Sequence, residues 1–138
     1  MRVIILGGDG YLGWPTSMSM AAKGHEVWAV DNYLRRTIAQ QTSSEALLPM
    51  PNLEERAKIF DAEYGKSIST HIFDLTDYHR LAALVEDVKP DCIIHYAEQP
   101  SAPYSMRGFN EAKLTFDNNL GATFNTLWAV RELSLIHI

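Results

Sequence analysis

Glycines at positions 7, 10 and 13 of the run Gly7-Gly8-Asp9-Gly10-Tyr11-Leu12-Gly13 have the spacing and the residue type needed to hold a diphosphate. Gly7 lets the chain turn, Gly10 lets backbone N–H groups approach a pyrophosphate, and Gly13 lets a following helix lie close on a sheet. The anion then rests on the positive end of that helix. Glycines could serve packing alone, but a second signal accompanies them. Asp31 falls where a carboxylate accepts hydrogen bonds from the ribose hydroxyls of a dinucleotide. A carboxylate there repels a 2′-phosphate, which favours NAD over NADP. Arg35 and Arg36 pull the other way, since they could pair with a 2′-phosphate or stack on adenine; otherwise they are an exposed charge pair. Asp74 can accept from the adenine amino group and Leu75 offers an apolar contact, with a plain helix cap as the competing role for Asp74. Asp9 and Tyr11, inside the glycine run, join the cofactor-binding candidates.

Other chemistries fit the sequence less well. His25, His71, His79, His95 and His137 are not paired with a cysteine or with one another at metal-ligand spacing, so no metal is expected. No GxSxG nucleophile elbow is present. His95 ends an apolar run and reads as a satisfied core residue or a wall of the dinucleotide loop. The single cysteine, Cys92, excludes an internal disulfide, fits a reducing compartment and reads as a small core residue. A net charge of -5 with scattered lysines and arginines gives no surface for nucleic acid. The first apolar run, Val3–Leu6, follows directly on Met1-Arg2, and no stretch is long enough to span a bilayer; the expectation is a cytoplasmic protein without a membrane partner.

The elements that must position these residues follow from the periodicity. Val3–Leu6 is a short β-rich run closed by glycines, as in a strand buried on both faces. Tyr11 to Lys23 carries Leu12, Met18, Met20, Ala21 and Ala22 at roughly helical spacing and stops at Gly24. Glu26–Val30 is the second strand, ending at Asp31. Asn32 to Pro51 reads as a long connection that has room for a helical turn, and its length suggests function. A helix over Asn52–Tyr64, with Leu53, Ala57, Phe60 and Tyr64 on one face, stops at Gly65. Ser67–Phe73 is strand three. Thr76 or Asp77 caps a helix running through Leu81, Leu84 and Val85 to Pro90. Asp91–Tyr96 is strand four, Ala97–Gly108 a proline- and serine-rich loop, and Asn110 to Glu132 a long helix. Strands alternating with helices imply an α/β fold, a Rossmann-type doubly wound parallel sheet, here truncated after about four strands. Residues 1–132 then form one incomplete dinucleotide-binding domain. Leu133-Ser134-Leu135-Ile136-His137-Ile138 joins the last helix without glycine, proline or asparagine and looks like translated sequencing-adapter DNA; a non-native tail is expected there rather than a fifth strand.

These residues resemble the extended short-chain dehydrogenase/reductase family of NAD-dependent nucleotide-sugar epimerases, dehydratases and synthases. Longer strings are similar to its UDP-sulfoquinovose synthase branch: GGDGYLGW at Gly7–Trp14, VDNYLRR at Val30–Arg36, GKSI at Gly65–Ile68 and EQPSAPYSM at Glu98–Met106. A DNN and GATFNTL stretch at Asp117–Leu127 extends the likeness, which runs from Met1 to about Glu132. The resemblance implies NAD as cofactor and a nucleotide sugar, UDP-glucose, as substrate, and leaves room for a homodimer. It adds Asn32 and Asn118 or Asn119 to the cofactor site and places Gln99, Ser101 and Tyr104 against the substrate; a structural turn around Pro100 and Pro103 is the alternative reading. Two positions depart from the family: Leu6 stands where a threonine is usual, and Pro100 where plant-type members carry an arginine. The family's catalytic tyrosine, followed four residues later by lysine, has no match here. Tyr11, Tyr33, Tyr64, Tyr78, Tyr96 and Tyr104 are followed at that distance by Pro15, Thr37, Ile68, Ala82, Pro100 and Gly108. No catalytic residue is therefore assigned, and in the family that pair follows the fifth strand. A 4-epimerase or dehydratase, or a non-catalytic module that senses NAD, are the rival functions.

Overall fold

The computed structural model describes residues 1–44 and 46–132, so the proposed tail at 133–138 lies outside the described residues. In chain order the elements are β1 (Arg2–Leu6), α1 (Gly13–Ala22), β2 (Glu26–Asp31), α2 (Leu34–Gln41), α3 (Leu53–Tyr64), β3 (Ser69–Ile72), α4 (Tyr78–Val88), β4 (Cys92–His95), α5 (Ala102–Ser105) and α6 (Phe109–Glu132). Among the described residues the strands form one sheet in the order β3-β2-β1-β4, every neighbouring pair parallel. The order reverses between β1 and β4, the switch point at which open α/β sheets bind ligands beyond their carboxyl ends.

Alternation along β1 divides the core in two. Val3 and Ile5 face Ala21 of α1 and Leu53, Ala57 and Phe60 of α3, while Ile4 and Leu6 face Leu81, Leu84 and Val85 of α4 and Ala122 and Ala129 of α6. Helices thus cover both faces, as the alternating sequence requires. Val3, Ile4, Ile5 and Leu6 are wholly buried, each worth about 1.5–3 kcal/mol of apolar burial.

Several expectations are corrected. The stretch Asn32 to Pro51 holds more than a helical turn, because α2 occupies eight of its residues, although most of the stretch is still connection. Asn32 Oδ1 accepts from the Leu34 N–H at its start, and Ile38 is its one buried residue. With a single apolar position turned inward, that helix leaves almost no periodic signal. In α1 the buried face is Gly13, Ser17 and Ala21, whereas Leu12 and Ala22 are exposed. Small residues four apart let this helix lie closer to the sheet than leucine or methionine would allow. Tyr64 is exposed and stacks on Phe60 instead of entering the core. Strand β3 is shorter than expected, and one helical turn, α5, interrupts the loop after β4 with Ser101 Oγ accepting from the Tyr104 N–H. Cys92 is exposed, not a core residue, because β4 is the edge of the described sheet.

Two helix starts carry side-chain caps, of which only that of Asp77 was expected from the sequence. Asn52 and Glu55 form a reciprocal capping box on α3, and Asp77 accepts from the Arg80 N–H at the head of α4. No described helix is long and apolar enough to cross a membrane.

Candidate functional site

The turn after β1 is fixed by β2: the N–H groups of Gly7 and Gly8 both donate to the Val30 carbonyl, at 2.8 and 2.9 Å. Gly7 has φ +85°, and a Cβ there would stand 2.8 Å from the Ala97 nitrogen. A Cβ on Gly8 would meet that of Ala29 at 2.7 Å, and one on Gly13 would come within 1.9 Å of the Gly7 carbonyl oxygen. At positions 7, 8 and 13 the loop is therefore folded back on itself and on its neighbours so tightly that a side chain is excluded. The residues present fit a dinucleotide diphosphate at the head of α1.

Beyond the strand ends opens a cavity of about 1060 Å³, larger than a typical drug-sized site. It gathers residues that are scattered through the sequence. Gly7, Asp9, Gly10, Tyr11, Gly13, Asp31, Asn32, Arg35, Arg36, Leu75, Gln99 and Asn118 all line it. Asp74, Ser101, Tyr104 and Asn119 are not among its lining residues. Asp74 instead accepts from the Thr76 N–H and hydroxyl and from Asn32 Nδ2, tying the turn after β3 to the tip of β2. Asn119 brackets the backbone of Gln99, accepting from its N–H at 2.8 Å and donating to its carbonyl at 3.2 Å. Ser101 caps α5, and Tyr104 is buried.

Asp31 sits at the end of β2 with both carboxylate oxygens engaged. Oδ2 accepts from the Asp9 N–H at 2.9 Å and Oδ1 from the Tyr33 N–H at 2.8 Å. Burial pushes its carboxyl above the usual aspartate range, outweighing the pull of these two N–H groups. A carboxylate oxygen has further lone pairs, so both ribose hydroxyls can still be accepted. Tyr33 ties this strand end to α3: its hydroxyl donates to Glu54 Oε2 at 2.6 Å and accepts from the Leu53 N–H. Burial first, and Glu54 second, push that hydroxyl up to about 12.

One further site residue, Arg56, carries no sequence signal. Arg56 of α3 donates to the carboxylate and the carbonyl of Asp9 and lies over the Trp14 ring, 4.8 Å from its centroid. Nothing in the helical spacing around Leu53, Ala57 and Phe60 marks it. His95 forms part of the cavity wall, its Nδ1 accepting from the Ala97 N–H, and burial holds its imidazole below the ordinary histidine value. Among the described residues no group of three or more His, Cys, Asp or Glu comes together to hold a metal.

Residues 3–137 match the sequence model of the family described as the NAD dependent epimerase/dehydratase family. The chain is 38% identical over 133 residues to the chloroplastic UDP-sulfoquinovose synthase of Spinacia oleracea, which covers 96% of this chain and 28% of that protein. It is 39% identical over 139 residues to the UDP-sulfoquinovose synthase of Sulfolobus acidocaldarius, covering 100% of this chain and 35% of that one. Identity to UDP-glucose 4-epimerase 2 of Arabidopsis thaliana is 30% over 125 residues, 91% of this chain and 31% of the relative. Among solved structures, the UDP-glucose 4-epimerase of Bifidobacterium longum in complex with NAD+ and UDP has the same fold, with a TM-score of 0.76 at 21% identity over 98% of this chain and 35% of that one. The chain thus spans about a third of the length of the proteins it matches. A glycine cradle at a sheet switch point, a carboxylate at the tip of β2 and a match across nearly every residue converge on one lineage: the chain belongs to the NAD-dependent epimerase/dehydratase family.

Proposed function

We propose that this chain binds NAD and forms the cofactor half of a UDP-sulfoquinovose synthase, which converts UDP-glucose and sulfite to UDP-sulfoquinovose. The observation that carries the reading is a gap in similarity. Identity is 38–39% to synthases from a plant and an archaeon, against 25–30% to the 4-epimerases. The backbone of Gly7–Gly13 would cradle the diphosphate, Asp31 would accept from the ribose, and Leu75 and Asn118 would line the cavity around them. When bound, NAD would take a hydride from the sugar at C4, permitting elimination and sulfite addition, and then return it. The catalytic tyrosine and lysine would come from chain beyond residues 1–132, which in this reading are the incomplete domain, with 133–138 as a non-native tail.

Gln99 supports a substrate-facing role for the loop after β4. It is buried and lines the cavity, with its amide fixed by Ser101 and by Thr115 Oγ1. Ser101 and Tyr104 as substrate contacts rest on the resemblance of Glu98–Met106. Pairing of two copies is supported by an exposed apolar row along α6, and a cytoplasmic, reducing setting by the lone cysteine.

Incubation of the full-length gene product with UDP-glucose and sulfite tests the reading. UDP-sulfoquinovose is the expected product. UDP-galactose in its place assigns a 4-epimerase, and NAD binding with neither product assigns a sensing module.

A further inference from the structure

We propose that Asp9 helps determine cofactor choice: by holding Arg36 and Arg56 it withholds two of the three guanidinium groups that line the cavity from a ribose 2′-phosphate, leaving only the exposed Arg35, and so favours NAD over NADP. The inference rests on the dinucleotide reading above and adds a residue to the discrimination that Asp31 alone was expected to provide.

The geometry is that of a filled trap. Arg36 approaches Asp9 with two nitrogens, Nε to Oδ2 at 2.7 Å and Nη2 to Oδ1 at 2.8 Å, a bidentate pairing. Its remaining hydrogen bonds go to the Met50 and Pro51 carbonyls, at 3.0 and 2.7 Å. Every nitrogen of that guanidinium is thus committed. Arg56 Nη2 also donates to Asp9, to the Oδ1 that Arg36 Nη2 reaches and to its carbonyl oxygen. The Asp9 side chain is only 10% exposed, so the ion pairs are poorly screened. The Asp9 N–H donates to Asp31, which puts the trapped arginines next to the ribose-binding carboxylate. Arg36, Arg56 and Asp31 line one cavity.

Loss of the Asp9 charge acts unequally on the two cofactors. A 2′-phosphate at Asp31 now meets two carboxylates and arginines already occupied. With asparagine at position 9, one of those negative charges disappears and both arginines lose their ionic partner, and a phosphate becomes their best replacement. NAD, which lacks that phosphate, gains nothing.

Titration calorimetry of the full-length protein with NAD+ and with NADP+ provides the test. Wild type is expected to prefer NAD+, and Asp9→Asn to narrow that preference by about tenfold or more, through tighter NADP+ binding. Asp9→Asn/Arg36→Met should restore much of the preference, a dependence that a purely structural Asp9 would not produce. Arg36→Met alone should move both affinities together and leave their ratio within about threefold, since Arg36 is already engaged. An Asp9→Asn variant that weakens both cofactors equally overturns the proposal. So does an Arg36→Met variant that selectively loses NADP+, an outcome that is readable even if Asp9→Asn fails to fold. Wild type that binds neither dinucleotide overturns the cofactor reading itself, and this inference with it.

Discussion

Gly13 has no room for a methyl group, because the atom it would strike is a backbone carbonyl oxygen, which cannot swing aside as a side chain can. Gly13→Ala is therefore expected to cost about 1–3 kcal/mol of stability and to weaken NAD binding, as thermal melts and calorimetry will register. Gly121→Ala is the contrast. Its Cβ would sit 3.4 Å from Thr76 Cγ2 within α6, so the same chemical change should leave melting unaltered or raise it slightly. Asp31 makes a pH prediction whose sign follows from burial. Its folded carboxyl titrates above 3.8, so between 3.8 and that raised value the native chain keeps a proton that the unfolded chain has released. Its contribution to stability therefore falls as pH rises through this window and is fully present only below 3.8. Dinucleotide affinity should run the other way, dropping as acidification removes the carboxylate's charge. Urea unfolding and NAD titrations across the acid range check both, and Asp31→Asn should flatten both profiles. The glycines and Asp31 were legible in the sequence because their meaning lies in local spacing. Arg56 was not, because its contact with Asp9 spans 47 residues and only the folded sheet brings α3 to the loop.

At the scale of elements, legibility followed how much apolar surface each one buries. Strand β1 announces itself by an unbroken apolar run, and α3 by the spacing of its buried Leu53, Ala57 and Phe60 and a terminal Gly65, while its Asn52–Glu55 capping box became visible only in the structure. The first helix was found with Ala21, Met18 and Met20 turned to the core as expected, but Leu12 and Ala22 are exposed and Ser17 went unread, because a small polar residue chosen by close packing carries no hydrophobic signal. Helix α2 was missed since a mostly polar segment is stabilised by its ends and by Arg36, which a periodicity reading ignores. The cap of α3 bears on function, for Arg56 sits in the first turns after it. Asn52→Ala removes the side-chain acceptor for the Glu55 N–H and should destabilise the chain by about 1 kcal/mol, lowering Tm by a few degrees. Amide exchange should quicken first at residues 53–56. If exchange instead rises uniformly through the sheet, α3 is not a separately anchored unit.

For the whole molecule, the described surface is unbalanced. Phe116, Leu120, Phe124 and Leu127 lie along one side of α6 and are each more than half exposed, while the small residues Ala122 and Ala129 of the same helix face the core. Contiguous apolar rows of this kind are rare on monomeric surfaces and mark places where another surface docks. The open edge at β4 is a second source of association, since Cys92 to His95 have a hydrogen-bonded neighbour on one side only among the described strands. The two sources can be separated. Pairing along β4 would be stopped by a proline there and indifferent to α6, whereas helix-to-helix pairing would respond to charge in the apolar row. The helix row carries four large apolar side chains that are each more than half exposed, whereas Ile93 and Ile94 of β4 are partly buried, so Phe116→Glu/Phe124→Glu is expected to shift the chain from self-associated species to monomer in sedimentation velocity, with Ile93→Pro failing to do so. Wild-type chain that sediments as a monomer at high concentration and melts cooperatively would show that neither surface drives association.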